Sequence, residues 1–492
     1  MRKLFISFLG IGDYKECIYK LDNFECETDF IQEALIKYYK RKEWKNSEHR
    51  IKIFYTIETT KPRENKETKK IEESNFDKIQ KRLEKYKNDI DYILIKSGQT
   101  QNELWEIFNT VNNEIKDNDE LYLDITHAFR YIPMLSSYLL NFARIQKNIS
   151  IKHINYGAFE AGEEKTKTAP MKTAPIYELS LLDHWFDWSI ALNTFKQSGN
   201  AKKLIELLDL EYTIDELPSD SKTNTKDAAL NNKIKFKSFL KDIKKTIDNF
   251  SKAVALSNVS DAIKNVLEIK AKINEYRTEN SKVLENVSNE NPQSIVILDT
   301  IYQIEKEFVN IIDDNIESYL ELVKWCKEHD LYQSSITILY EVLITYFVNK
   351  YSKKLDEIVK NLKETTKSKS RKQKIKRGVI SGVLSIASKN EDFENSDLNK
   401  NGIFECEKLR QDFATSHINI CKLYSFLGQI RNHINHAKDS ENITGSLGSG
   451  IYKFINENYG TENIKQSKDD DIFTLYNLIF EKIRYEIMEL EK

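Results

Sequence analysis

Cysteine, proline and glycine are scarce in this chain of 492 residues, which contains only 5, 6 and 14 of them, respectively. The cysteines are dispersed and form no CxxC pair. An odd, scattered set is typical of reduced thiols in the cytoplasm and argues against a disulfide framework or a zinc site. Few helix-breaking residues beside many lysines and glutamates favour helices. We therefore expect a cytoplasmic protein, rich in helix, that binds no metal.

A long apolar run and a strong net charge are also missing. No stretch of 18 residues is apolar enough to predict a membrane span. The apolar run of residues 4–9 is shorter than a signal peptide requires. The net charge of −2 gives no general attraction to nucleic acid, so any such contact must come from a local patch. The length allows roughly two to four domains, each with its own core.

The first 180 residues alternate between two periodicities. Short β-branched or aromatic runs lie at residues 4–9, 51–55, 92–95, 121–125 and 149–156, and helical stretches lie near residues 28–40, 75–87, 101–116 and 130–147. Strands that alternate with helices predict right-handed βαβ units. We expect residues 1–180 to form a Rossmann-like α/β domain, with a parallel-type sheet and helices on both faces.

Small and polar residues follow three of these strands, as Gly10-Ile11-Gly12-Asp13-Tyr14, Lys96-Ser97-Gly98-Gln99 and Thr126-His127-Ala128-Phe129-Arg130. Ligands of parallel sheets bind beyond the carboxyl ends of the strands, and the third loop precedes a helix whose amino end favours anions. Ordinary turn chemistry is the alternative for each loop alone. Together the loops predict a site for a nucleotide-like ligand, formed by Gly10, Gly12, Asp13, Tyr14, Lys96, Ser97, Gly98, Thr126, His127 and Arg130.

The middle of the chain carries no chemical motif. Apolar residues at helical spacing predict an all-α connector over residues 181–315. Within it, residues 215–232 are polar and aperiodic, which predicts a mobile loop. Further on, seven of the eleven residues 367–377 are positively charged. This run is either a solvated loop or an arm that attracts phosphates near a nucleic-acid site.

Residues 316–492 predict an all-α bundle. An apolar seam over residues 413–434 follows helical spacing, and residues 469–491 predict a closing helix. Between them, residues 446–450 are serine, leucine and glycine, which predicts a loop.

The seam leads into Arg431-Asn432-His433-Ile434-Asn435-His436, which combines a permanent cation, amides and imidazoles. Such groups can cleave a phosphodiester, because a histidine carries protons and an arginine stabilises developing negative charge. Residues five apart on a helix point about 140° away from each other, whereas Asn432 and His436 share a face. Arg431 and His436 can therefore meet only if the helix ends or bends, or if a second chain contributes.

Two alternatives to this catalytic pair remain. His433 is the second candidate for the catalytic histidine, on a different flank of the helix. Arg410 and His417 form a rival arginine–histidine pair, but residues seven apart lie on one face of an unbroken helix, where a structural role is easy.

The two ends of the chain resemble known families. Residues 4–14 and residues 124–130 are similar to signature stretches of CARF domains, and Tyr156-Gly157-Ala158-Phe159 followed by residues 174–179 resembles the exit of that domain. The Arg431-to-His436 stretch resembles the R-x4-6-H motif of HEPN nucleases, including the polar residue after the arginine. The region 183–330 is covered only loosely.

This resemblance implies a CARF–HEPN effector ribonuclease of type III CRISPR systems. Members are homodimers in which a cyclic oligoadenylate, here expected to be the tetra-adenylate ring, binds the paired CARF domains. Binding activates metal-independent cleavage of single-stranded RNA by the paired HEPN domains. The resemblance makes Arg431 and His436 the catalytic pair, with Asn432 in support, and makes Lys96 and Arg130 the phosphate contacts. The alternative is a non-catalytic cyclic-nucleotide sensor or regulator with a degenerate HEPN bundle.

Overall fold

A computed structural model describes most of the chain. The described residues are 1–42, 44, 49–64, 71–127, 132–163, 171–213, 228–279, 293–361, 368–388, 405–436, 443–460, 467 and 471–492. They divide into two compact units, Met1–Phe186 and Asp187–Lys492.

In the described part of the first unit, one sheet contains eight strands. The strands are β1 (Lys3–Phe8), β2 (Cys17–Leu21), β3 (Phe24–Thr28), β4 (Arg50–Tyr55), β7 (Ile90–Leu94), β8 (Glu120–Asp124), β9 (Ser150–Gly157) and β10 (Thr173–Glu178). Their order is β3-β2-β10-β9-β8-β1-β4-β7. Pairing is parallel from β9 to β7, and β10 is antiparallel to β9. A separate two-stranded ribbon joins β5 (Arg63–Glu64) and β6 (Ile71–Glu72).

Helices cover both faces of this sheet. They are α1 (Ile31–Lys42), α2 (Asn75–Arg82), α3 (Gln101–Glu114) and α4 (Ile132–Lys147), with 3-10 turns at Ile57–Thr60, Glu84–Asp89 and Phe159–Ala161. Because successive strand residues point to opposite faces, β1 contributes Phe5 to the core under α1 and Leu4 and Ile6 to the core under α3 and α4. The predicted α/β fold class is thus confirmed, with a mixed, mostly parallel sheet.

The hairpin of β2 and β3 was not among the predicted strands. It is antiparallel, and it buries Cys17, Tyr19 and Cys26. Asp22 occupies the turn with a φ of +51°, a left-handed conformation that Asp and Asn tolerate better than most residues. The sequence signal was therefore the Asp-Asn turn between two short alternating segments.

The described part of the second unit is helical. Its helices are α5 (Ser180–Ser198, which includes the boundary between the units), α6 (Lys202–Thr213), α7 (Ala228–Ala255), α8 (Val259–Glu279), α9 (Gln293–Glu307), α10 (Ile316–Glu328), α11 (Tyr332–Lys350), α12 (Ser352–Asn361), α13 (Lys369–Ala387), α14 (Glu405–Ser416), α15 (Ile418–His436), α16 (Ile443–Tyr459) and α17 (Ile472–Glu491). One apolar core runs through these helices, from Trp188 on α5 to Ile487 on α17. Helix α11 is buried along most of its length, so it sets the position of the helices around it.

Residues 446–450, predicted as a loop, lie inside α16. Apolar residues further along the helix, Ile451, Phe454 and Ile455, are buried. Tertiary burial of one face stabilises a helix more than local propensity destabilises it. The loop prediction was therefore wrong.

The basic run and the predicted mobile loop are also partly helical. Residues 369–377 form the first half of α13, whose second half buries Val379 and Ile380 against the core. Lys376 pairs with Asp356 at 2.8 Å, and Arg377 pairs with Glu341. The solvated-loop interpretation is therefore wrong for these residues. Helix α7 begins at Ala228, so residues 228–232 are helical as well, while residues 215–227 of the predicted loop lie outside the described residues.

Among the residues that the structure describes, no helix is long and apolar enough to cross a bilayer.

Candidate functional site

The loops after β1 and β8 are packed against each other. A Cβ on Gly10 would lie 2.7 Å from the backbone oxygen of His127, so only glycine fits this approach without a backbone shift. The Gly10 N–H donates to the Tyr14 hydroxyl at 2.8 Å. The Tyr14 ring contacts the His127 imidazole edge-on at 4.3 Å between centroids and stacks on Phe30 at 4.6 Å. Gly10, Tyr14 and His127 therefore form one cluster at the carboxyl end of the sheet.

A residue that the sequence did not single out holds this cluster. Asn75, the buried first residue of α2, donates its side-chain N–H groups to the backbone oxygens of Gly10 (3.1 Å) and Gly12 (3.0 Å). These two hydrogen bonds fix the curvature of the glycine loop that leads to Asp13. Nothing local in the sequence around Asn75 indicates this contact, because the loop lies far away along the chain.

Asp124, the last residue of β8, holds the loop after that strand in place through hydrogen bonds. Its carboxylate is fully buried and accepts from the Ser7 hydroxyl (2.6 Å), the Thr126 N–H (3.0 Å) and the Thr126 hydroxyl (2.6 Å). Burial raises the pKa of Asp124 and outweighs the lowering effect of these hydrogen bonds. The Thr126 hydroxyl also accepts from the Gly157 N–H at 2.8 Å. Thr126 therefore positions the loop that carries His127.

The His127 imidazole is neutral near pH 7 because burial lowers its pKa to about 4. Its Nε2 atom is buried and has no hydrogen-bond partner among the described residues. A buried polar atom without a partner costs about 1–3 kcal/mol. A bound ligand could supply the missing hydrogen bond.

The loop after β7 lies on the same rim, two strands away from β1, which corresponds to about 10 Å. Gly98 has a φ of +69°, a conformation that favours glycine. The Ser97 hydroxyl donates to Glu58 at 2.8 Å, and the neighbouring hydroxyls of Thr56 and Ser97 lower the pKa of Glu58. The Lys96 side chain is exposed on this rim, and Arg130 lies outside the described residues.

In the helical unit, Arg431 lies on an aromatic ring. Its guanidinium carbon is 4.2 Å from the centroid of the Tyr340 ring, and the Tyr340 ring stacks on Tyr424 at 4.2 Å with an interplanar angle of 24°. The Arg431 Nε atom is buried, and it has no hydrogen-bond partner among the described residues. No described carboxylate forms a salt bridge with this guanidinium, so its charge is available to an anion.

The other members of the motif lie elsewhere on α15. The helix is continuous from Arg431 to its last residue, His436, and backbone positions five apart are separated by about 140° around a helix axis. Asn432 is exposed and His433 is half-buried. The side chain of His436 lies outside the described residues. No break separates Arg431 from His436 in α15, so the end of the helix at His436 and a second chain remain as ways to bring the pair together.

The rival pair has structural contacts. Arg410 forms a two-point ion pair with Glu407 on the same helix, at 2.8 and 2.6 Å. His417 is buried; its Nε2 atom is 2.7 Å from the Tyr351 hydroxyl, and its ring packs on Phe413. These contacts favour the structural interpretation of both residues.

No group of three potential metal ligands is found in the described ranges of either unit. Lys96 at the rim and Arg431 on α15 are cationic side chains of the two candidate sites.

Comparisons with known proteins point to CRISPR-associated proteins. Residues 4–160 match the family model described as "CRISPR system endoribonuclease Csx1, CARF domain". The chain is also similar to CRISPR-associated protein MJ1674 of Methanocaldococcus jannaschii, with 28% identity over 256 residues. That alignment covers 43% of this chain and 39% of the relative's length. The family match covers the unit that carries all three ligand loops.

The contact between Gly10 and His127 generates a first prediction. In Gly10→Ala, the added methyl group must displace the backbone of the His127 loop, and we expect a loss of about 1–3 kcal/mol of unfolding free energy. Gly12→Ala is the matched control, because a Cβ there meets no atom within 4 Å. Denaturant unfolding, with amide exchange in β1 and β8 as a local readout, measures both variants. Equal stability of the two would contradict this packing.

The low pKa of His127 generates a pH prediction. An unfolded chain protonates this histidine near pH 6.5, but the folded protein resists protonation until about pH 4. The unfolded state therefore binds more protons in this window, and stability falls as the pH falls. Between pH 6.5 and pH 4, we expect the free energy of unfolding of His127→Gln to fall by up to about 3 kcal/mol less than that of the wild type. Denaturant midpoints across this range test the difference, and identical pH dependence of the two proteins would refute it.

Proposed function

We propose, on the premise that the N-terminal domain is a CARF domain of the Csx1 family, that this chain is a CARF–HEPN endoribonuclease of CRISPR defence. A cyclic oligoadenylate, most simply the tetra-adenylate ring, binds the paired CARF domains. Binding activates metal-independent cleavage of single-stranded RNA by the paired helical domains. The observation that carries the proposal is the Arg431 guanidinium, which is held on an aromatic ring with no described counter-ion.

The rim of the sheet suits the proposed activator. Gly12 lets the backbone approach a ligand closely, since a Cβ there would meet no atom within 4 Å, and Gly10 lets the His127 loop pack against this backbone. The neutral His127 has an unused nitrogen, and Lys96 supplies an exposed charge for a phosphate. Asp13, Tyr14, Ser97, Gly98, Thr126 and Arg130 complete the proposed binding residues. A ring of four identical nucleotides has twofold symmetry, so each half can contact the same residues of two identical chains.

An exposed apolar stripe on α4 supports the homodimer. Met134, Tyr138, Phe142 and Ile145 follow each other at helical spacing, with exposed fractions of 62%, 62%, 43% and 81%. Next to the stripe, Trp105 on α3 is 59% exposed. A contiguous apolar surface marks an interaction site. Because α4 follows the His127 loop directly in the chain, a second copy paired through α4 would bring two activator loops close together.

The chemistry follows from the groups in the motif. The 2′-hydroxyl of the RNA attacks the adjacent phosphorus, the bond from phosphorus to the 5′-oxygen breaks, and the products are a 2′,3′-cyclic phosphate and a 5′-hydroxyl. His436 assists proton transfer. Arg431 stabilises the charge of the phosphorane with a planar guanidinium that suits phosphate, and Asn432 supports the histidine or a phosphate oxygen. Since Arg431 and His436 point apart on one helix, two chains combine their motifs across the twofold axis.

An RNA cleavage assay tests this proposal. With the tri-, tetra- and hexa-adenylate rings supplied separately and with EDTA present, we expect the wild type to cleave labelled single-stranded RNA with one ring only. Arg431→Ala and His436→Ala should each reduce the rate on the order of a hundredfold or more. The matched control is His433→Ala, which should keep most of the activity.

Other outcomes separate the alternatives. Equal rates for His436→Ala and the wild type would remove the assignment of His436, and a large loss in His433→Ala would transfer the role to that residue. Binding of a ring in a calorimeter without any cleavage would favour the non-catalytic sensor.

Substitution of the α4 stripe tests the dimer. We expect Ile145→Glu to shift the protein from dimer to monomer, because burial of an unpaired carboxylate in an interface is costly. Ile71→Glu is the matched control in the same unit, since both isoleucines are 81% exposed. Sedimentation velocity at low micromolar concentration measures both variants. A dimer that survives Ile145→Glu would exclude this surface as the interface.

A further inference from the structure

The guanidinium of Arg431 is the end of a column of three flat groups. Tyr424 and Arg431 lie on α15, seven residues apart, which is nearly two turns and a rise of about 10 Å on one side of the helix. The Tyr340 ring of α11 inserts between them, with its centroid 4.2 Å from the Tyr424 centroid and 4.2 Å from the Arg431 guanidinium carbon. These distances are close to van der Waals contact, so no space for water remains between the planes.

The inner end of the column is anchored in the core. Tyr424 is only 1% exposed, and its hydroxyl is 3.0 Å from the Ser381 hydroxyl of α13. Beside the column, α15 carries Gly428, where a Cβ would already lie 3.6 Å from the edge of the Tyr340 ring. A methyl group at this position would therefore make an ordinary van der Waals contact with the ring. Three helices therefore fix the plane of Tyr340.

An aromatic face holds an arginine in a way that suits catalysis. A carboxylate partner would neutralise the guanidinium and occupy its N–H groups, which a phosphate also needs. A ring attracts the cation through its face and leaves the N–H groups at the edges unused. Among the described residues, none forms a hydrogen bond or an ion pair with Arg431. The guanidinium thus keeps both its charge and its donors.

We infer that Tyr340 is a positioning residue for RNA cleavage, which fixes the plane of the Arg431 guanidinium, with Tyr424 as the support behind it. This inference rests on the proposed function, because it gives Tyr340 its role through Arg431. The Tyr340 hydroxyl is not required for this role, since the contact is made by the ring face. The aromatic ring is required, because an aliphatic side chain lacks the charge distribution that attracts a cation.

Steady-state RNA cleavage by the full-length protein with saturating activator tests the inference. Tyr340→Leu should reduce kcat by about ten- to a hundredfold, since small displacements of a charge-stabilising group cost that much, with a much smaller change in KM for RNA. Tyr340→Phe should stay within about threefold of the wild type, because it keeps the ring face. Tyr332→Leu is the matched control on the same helix: its ring packs on Phe473 at 4.3 Å, and its loss should leave kcat unchanged.

A double-mutant cycle separates positioning from a general effect on folding. If Tyr340 acts through Arg431, the Tyr340→Leu substitution should reduce activity no further in an Arg431→Ala background. A further tenfold loss in that background, or full activity of Tyr340→Leu beside an inactive Arg431→Ala protein, would overturn the inference and leave the proposed function in place. Full activity of Arg431→Ala would overturn the proposed function itself.

Discussion

The positive charge of a guanidinium in a packed helix interface must be stabilised by a neighbouring group that leaves its N–H donors free to bind a phosphate. This constraint shapes the α11–α15 contact. An acidic partner would satisfy the charge but block its use, whereas the Tyr340 ring stabilises the cation and leaves its N–H groups unoccupied. Tyr424 supports the ring from behind. The burial of α11 contributes to this contact, because a mobile helix could not keep the Tyr340 ring in one plane.

The described part of the sheet domain likewise contains a buried polar atom that has no hydrogen-bond partner. Beneath the rim, hydrogen bonds hold the loops: Asp124 accepts from Ser7 and Thr126, and the Gly10 loop is held by Asn75. Above this layer, the Nε2 atom of His127 has no partner in the described part of the chain. A hydrogen-bonded layer beneath an unsatisfied group suits the proposed binding site, since part of the ordering cost is met before a ligand arrives.

The sequence predicted the elements that periodicity encodes and missed the contacts that only the fold creates. The five parallel strands and the helices between them follow local patterns, and the CARF resemblance of the N-terminal domain is confirmed. Asn75 and Tyr340 could not be found in this way, because each acts on a segment far away in sequence and neither stands in a recognisable motif.

The loop predicted at residues 446–450 failed for the opposite reason. Its serines and glycines weaken a helix locally, but burial of Phe454 and Ile455 in the core outweighs that preference. The roles of the motif residues 431–436 stay predictions.

Symmetry is a common requirement of both proposed sites, for separate physical reasons. On α15, which is continuous to His436, positions 431 and 436 are separated by about 140° around the helix axis, an arrangement that favours the proposed pairing between two chains. On α4, a stripe of apolar side chains remains exposed beside the loop that carries His127. The exposure of these side chains to water is unfavourable. In the proposed homodimer, a second copy of the chain would resolve both problems at once. If a ligand favours one arrangement of two chains over another, it changes the population of paired motifs without touching them. A ligand with twofold symmetry is well suited to that task, because it contacts both copies equally and its whole binding energy can depend on how they are paired.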